Sequence, residues 1–86
     1  MSIMAKFLDV HPTGGVNEET LKKMQNELPD EFGVITENIL YNIEDDKVFC
    51  LIEAPSKSAV EKHHTKYGIK CDWIMEVKTT STRQMG

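Results

Sequence analysis

The chain is short of most features that announce a function. It has two cysteines, three prolines, five glycines and one tryptophan in 86 residues. Two cysteines cannot build the multi-bridge framework of a small secreted scaffold, nor hold an iron–sulfur cluster, which takes four. Cys50 and Cys71 are not spaced as a CxxC pair, so both are expected as reduced thiols. No apolar run approaches the roughly 18 residues that span a bilayer. The start, MSIMAKFLDV, lacks a basic stretch leading into an apolar one. A soluble, cytoplasmic protein without membrane association is therefore expected. Positive charge is scarce too: 10 Lys+Arg against 14 Asp+Glu leave a net charge of −4. The longest basic run is Lys22-Lys23, and phosphate backbones are bound by clustered cations, so no nucleic acid partner is expected. GxSxG, P-loop, HExxH and GxGxxG motifs are all missing. A nucleophile pair could be drawn from Cys71 and His11, but nothing supplies an oxyanion hole for it.

What is present is ordinary globular material, 40% hydrophobic and 28% charged. A chain this short buries only about 60–65% of its unfolded surface, enough for one modest core. One domain over residues 1–78 is expected, followed by a polar, unpatterned tail over 79–86. Residues 5–11, AKFLDVH, alternate as a strand does, and Pro12-Thr13-Gly14-Gly15 breaks it. Asn17 is a helix N-cap with Glu18 and Glu19 in the first turn. Val16 and Leu21 make a hydrophobic staple, Leu21, Met24 and Leu28 an apolar stripe, and Pro29 a stop. Residues 34–43 and 47–54 are β-rich runs joined by Glu44-Asp45-Asp46, read as a solvated hairpin tip. Ser56 caps a second helix that ends near Tyr67, with Gly68 in the C-terminal cap position. Asp72 to Lys78 is the last strand.

The order βαββαβ predicts an α+β, ferredoxin-like domain. Short, right-handed connections make its antiparallel sheet run 4-1-3-2 with both helices on one face. Alternation assigns Leu8, Val10, Val48, Cys50, Ile52, Trp73, Met75 and Val77 to the helix-covered core, centred on Trp73. Phe7, Asp9, His11, Phe49, Leu51, Glu53, Asp72, Ile74 and Glu76 fall on the other face, which has no helix to cover it. An uncovered, half-apolar face of this size predicts a homodimer built through it. RNA-recognition domains share this strand order. They need stacking aromatics on the central strands, whereas Lys47-Val48-Phe49-Cys50-Leu51-Ile52-Glu53-Ala54 offers one aromatic and no glycine.

This topology gathers chemistry at one sheet edge. The first strand ends at His11, the last begins beside it at Cys71-Asp72, and the second helix returns toward the same edge carrying His63 and His64. Asp9 lies on the first strand. Imidazole, thiolate and carboxylate are the donors that bind divalent transition metals. Helical angles at 100° per residue place His63 inward with Ala59, Val60 and Tyr67, and His64 at the border of that face. His63 is accordingly read as a core histidine with a hydrogen-bond partner, and His64 as the better-placed ligand. Cys50, in mid-strand among apolar residues, is read as a small core hydrophobe, and Cys71 as accessible.

Phe7-Leu8-Asp9-Val10-His11, the block Lys47-Val48-Phe49-Cys50-Leu51-Ile52-Glu53-Ala54-Pro55-Ser56, and Ala59-Val60 followed by His64 resemble a family of small bacterial and archaeal proteins. That family, formerly a domain of unknown function, is similar to a nickel-binding ferredoxin-like protein, and the likeness spans residues 5–78. It implies a dimeric domain with bound nickel, or another divalent transition metal, and no established catalytic activity. His11 matches the family's first-strand histidine and His64 its second-helix histidine. Pro12 and Tyr67 stand where the family often has further histidines, and His63 where it tends to have an apolar residue. These departures imply a depleted or rearranged metal site. The expected ligands are His11 and His64, with Asp9, Asp72 or Cys71 completing the set. The alternative is a dimeric α/β-barrel enzyme or small-ligand binder with a pocket near His11, His64 and Tyr67.

Overall fold

The structure is a computed structural model that describes residues 4–80. Most of the expected polar tail, residues 81–86, lies outside the described residues. Six elements follow one another: β1 (Ala5–His11), α1 (Glu18–Gln25), β2 (Ile35–Asn42), β3 (Lys47–Ala54), α2 (Lys57–Lys66) and β4 (Trp73–Val77). The strands make one antiparallel sheet in the order β2-β3-β1-β4, which is the expected 4-1-3-2 read from the other edge. The architecture is α+β. No helix among the described residues is long and apolar enough to cross a membrane.

Local chemistry sets the helix ends. The Asn17 side chain accepts the Thr20 N–H at 2.9 Å, and Ser56 Oγ accepts the Ala59 N–H at 3.1 Å. α1 stops a turn before Pro29, because the Asn26 amide donates to the Lys22 carbonyl at 3.0 Å and its backbone N–H to Lys23. Leu28 therefore lies beyond the helix and is 86% exposed, so it does not extend the apolar stripe expected of it. At the end of α2, Gly68 takes φ +71°, which a side chain would resist. Its N–H donates to Thr65 and that of Ile69 to His64, both at 2.9 Å, closing the helix with a doubly bonded cap. Asp46 at the hairpin tip is more than a solvated acid. Its Oδ1 accepts both the Thr13 N–H at 2.9 Å and the Thr13 hydroxyl at 2.5 Å, tying the tip to the β1–α1 connection. Those bonds from Thr13 hold its carboxyl below the usual range.

The register corrects the expected faces of two strands. Residues directly opposite in an antiparallel pair share a face, and β1 pairs Phe7 with Ile52, Asp9 with Cys50 and His11 with Val48. Val48, Cys50 and Ile52 face the helices as expected, so Phe7, Asp9 and His11 face them as well. Leu8 and Val10 are on the open side instead. β4 follows the same rule: Asp9 pairs with Ile74, while Val10 pairs with Trp73 and Leu8 with Met75. Trp73 is thus not the centre of the core; it is 42% exposed on the open face. The alternation of these strands is real, but the set facing the helices is the more polar one. The core consists of Phe7, Leu21, Val34, Val48, Ile52, Ala54, Ala59 and Val60, with Cys50 at its edge toward the histidines. Emptying a site such as fully buried Ile52 costs about 2–5 kcal/mol, a large share of what a small domain has. The open face carries Leu8, Leu40, Phe49, Leu51, Trp73 and Met75, far more apolar than alternation had suggested.

Candidate metal centre

The face that alternation put in the open is where the donors meet. Asp9 and His11 stand two residues apart on β1 and so point the same way. Cys50 sits directly opposite Asp9 across the β1–β3 ladder. His64 descends from α2, one turn after Val60, on the most deeply buried line of that helix. His64 is 4% exposed, so the border position inferred from helical angles is corrected: Val60 and His64 mark the centre of the inward face, and Tyr67 is largely exposed. His63 sits beside that line and gives its ring to Asp30, Nδ1 to Oδ2 at 2.5 Å. Asp30 also accepts the N–H groups of Phe32 and Val34. Despite burial, these bonds hold the Asp30 carboxyl below its usual range. The pair clamps α2 to the loop before β2.

Asp9, His11, Cys50 and His64 each offer one donor atom, and the four atoms lie within 4.8 Å of one another, all buried. His64 Nε2 is 3.3 Å from Asp9 Oδ1, and His11 Nε2 is 3.7 Å from Cys50 Sγ. Bond lengths of 2.0–2.1 Å to nitrogen or oxygen and 2.3 Å to sulfur put tetrahedral donors about 3.3–3.6 Å apart. Those two pairs are therefore already spaced as the edges of such a shell. The imidazoles are also oriented from behind. His11 Nδ1 meets the Pro12 carbonyl at 2.7 Å and His64 Nδ1 meets the Val60 carbonyl at 2.9 Å. A carbonyl only accepts, so each Nδ1 carries the proton and each Nε2 faces the cluster, as in metal-ligating histidines.

The hydrogen bonding of the cluster is incomplete as it stands. Asp9 is fully buried, and neither carboxylate oxygen has a hydrogen bond; its contact with His64 is an ion pair without hydrogen-bond alignment. An ionised carboxylate in that condition is costly. Burial disfavours a charged His64 ring, but the Asp9 carboxylate and the sulfurs of Cys50 and Cys71 outweigh it, and the pKa is pushed up to about 12. Burial pushes the Cys50 thiol up, against the pull of His64.

Of the expected site residues, the structure brings His11, His64 and Asp9 into one cluster. Cys71 stands outside it, half-buried, lining the same surface cleft as His64. Asp72 is apart, its exposed carboxylate paired with Lys47 at 3.3 Å. Cys50, read from the sequence as a core hydrophobe, belongs to the cluster. The signal for it was the register: once Cys50 faces the helices, the residue opposite it on β1 must face them too.

The family model described as "Nickel responsive protein SCO4226-like" matches residues 7–77. The crystal structure of SCO4226 from Streptomyces coelicolor A3(2) aligns with a TM-score of 0.73 and 28% sequence identity, covering 90% of this chain and 100% of that one. Comparison with curated proteins gave no significant match.

Proposed function

Since this chain belongs to the SCO4226-like family of nickel responsive proteins, we propose that it binds a divalent transition metal, nickel first among them, in the Asp9–His11–Cys50–His64 cluster. The fold is the ferredoxin-like one. The observation that carries the reading is the buried, unbonded Asp9 carboxylate facing two imidazole Nε2 atoms and a thiol. A His64–Asp9 ion pair would explain one charge, but not why His11 and Cys50 bring two further donor atoms to the same point. Charge supports the reading as well. With Asp9 and Cys50 both anionic and His64 neutral, a divalent ion leaves the buried site as charge-balanced as the Asp9–His64 pair does without it, so loading buries no uncompensated charge. Mixed nitrogen, sulfur and oxygen donors suit nickel, zinc or copper better than magnesium or calcium.

The role is binding, not catalysis. A buried thiol held protonated is a poor nucleophile, and the cluster faces the core. The protein works in the cytoplasm as a metal-responsive or sequestering partner. A second copy covers the open sheet face through Leu8, Phe49, Leu51 and Trp73. Light scattering at micromolar concentration is expected to give a dimer, and Leu51→Asp a monomer; a monomeric unmodified protein refutes that part. Metal analysis and calorimetric titration of protein made without a histidine tag test the centre, with one nickel per chain expected. Absence of nickel, zinc and copper binding refutes it. In that event the cleft of about 440 Å³ between Val16, Met24 and Tyr67 supports the small-ligand reading, since its size suits a compact molecule.

A further inference from the structure

All four donors of the cluster are buried, so an ion must cross protein to reach them. His64 is the donor that also lines a surface cleft, about 550 Å³ in volume, whose walls include Glu61, Thr65, Ile69, Cys71 and Trp73. Cys71 is half-buried there, outside the four-donor cluster but on the same cleft as His64. Its position is not that of a loose loop. Two residues before it, the Ile69 N–H donates to the His64 carbonyl at 2.9 Å. One residue after it, the Asp72 N–H donates to the Val10 carbonyl at 2.7 Å. The segment that carries the thiol is thus fastened to α2 at His64 itself and to β1 beside Asp9 and His11. The cleft thus presents a soft donor, Cys71, together with His64, and His64 Nε2 lies 3.3 Å from the buried, unbonded Asp9 carboxylate behind it.

We propose that Cys71 is the loading ligand of the centre, capturing the ion at the cleft and passing it to the buried donors through His64, without remaining in the final shell. This rests on the metal-binding reading above. An aquated ion cannot shed its water into a dry interior before protein donors replace that water, because hydration of a divalent charge is too strong. Exchange in steps avoids this. In the first step a metal–water bond breaks, a metal–sulfur bond to Cys71 forms, and the Cys71 proton leaves to buffer. In the second, Cys50 sulfur bonds to the metal and loses its proton as the bond to Cys71 breaks, and Cys71 takes a proton back. His64 would lose its Nε2 proton to buffer as it binds in the first step and hold the ion through the second, since it lines the cleft with Cys71 and stands in the donor cluster with Cys50. No redox change occurs. A group that takes part in the path and not in the end state must speed uptake and release by the same factor and leave the equilibrium unchanged.

The test uses nickel chloride and the full chain, with uptake followed by the fluorescence of Trp73, which lines the cleft, and release followed with excess chelator. Cys71→Ser is expected to keep one nickel per chain and an affinity within about twofold, while uptake and release both slow by about tenfold or more, the lower end of what a supporting metal-site residue contributes. A drop in affinity of about tenfold or more makes Cys71 a resident ligand and overturns the proposal; unchanged rates overturn it as well. A second measurement needs no variant. Iodoacetamide should label Cys71 of the folded protein equally well with and without nickel, and labelled metal-free protein should load slowly. Protection of Cys71 by nickel contradicts the proposal. Unmodified protein that takes up no nickel refutes the centre itself, whereas normal uptake with unchanged Cys71→Ser rates refutes only the loading role.

Discussion

Nickel binding should expel two protons per ion at neutral pH, and the structure says which two. With its pKa pushed up to about 12, the His64 ring is an imidazolium across the neutral range. Only neutral imidazole ligates. Displacing that proton costs about 1.4 kcal/mol for each pH unit below the pKa. The Cys50 thiol, raised by burial, must also ionise to bind. His11 has its Nδ1 on the Pro12 carbonyl and its Nε2 toward the cluster. Two protons displaced means an apparent association constant rising about 100-fold per pH unit through the neutral range. An ordinary imidazole would instead lose its pH dependence above about pH 6.5. Calorimetric titration in phosphate, HEPES and Tris buffers, which differ in ionisation enthalpy, counts the protons directly. A count near two supports the arrangement. A count near zero refutes it, because it means that neither His64 nor Cys50 yields a proton to the metal.

Stability should follow the same proton in the opposite sense. The folded pKa of His64 lies above its ordinary 6.5, so the stability its pairing with Asp9 contributes is complete below about pH 6.5 and declines as pH rises toward 12. Melting temperatures of metal-free protein should reflect that decline, while the increment from saturating nickel grows with pH; an increment that shrinks contradicts the model of displacement. His64→Ala should lower nickel affinity at least 10–100-fold, the range set by supporting residues alone. His63→Ala, which removes the bond to Asp30 and edge-on ring contacts with His64 and Tyr67 but no donor atom of the cluster, should leave affinity within a few-fold; titrations that reverse this order show the helix face to be misassigned. Gly68→Ala should cost about 1–2 kcal/mol in denaturant unfolding. The site has φ +71° with nothing within 4 Å of the new Cβ, leaving backbone strain as the whole effect. No loss of stability there would refute the strained cap.

Element order, helix caps and the hairpin could be read from the sequence because they depend on near neighbours. Asn17 and Ser56 cap N–H groups three residues on, and Gly68 supplies a left-handed turn wherever the chain around it goes. The histidines and Asp9 could be picked out because few other side chains here bind metals. The strand faces could not be assigned that way. In β1 both alternate sets mix apolar and polar residues, and the preference for burying the apolar set chose Leu8 and Val10. Register decided otherwise: pairing with β3 sets Asp9 opposite Cys50 and His11 opposite Val48. Cys50 looked like a core residue for the same reason, since a lone thiol in an apolar strand carries no local mark of what faces it. Which atoms converge is a property of separations of 39 residues, from His11 to Cys50, and more, from Asp9 to His64. Those separations are closed only by hydrogen-bonded ladders and helix packing. Burying an aspartate and two histidines also opposes the hydrophobic pattern, and the pattern therefore points away from the residues that would hold the ion.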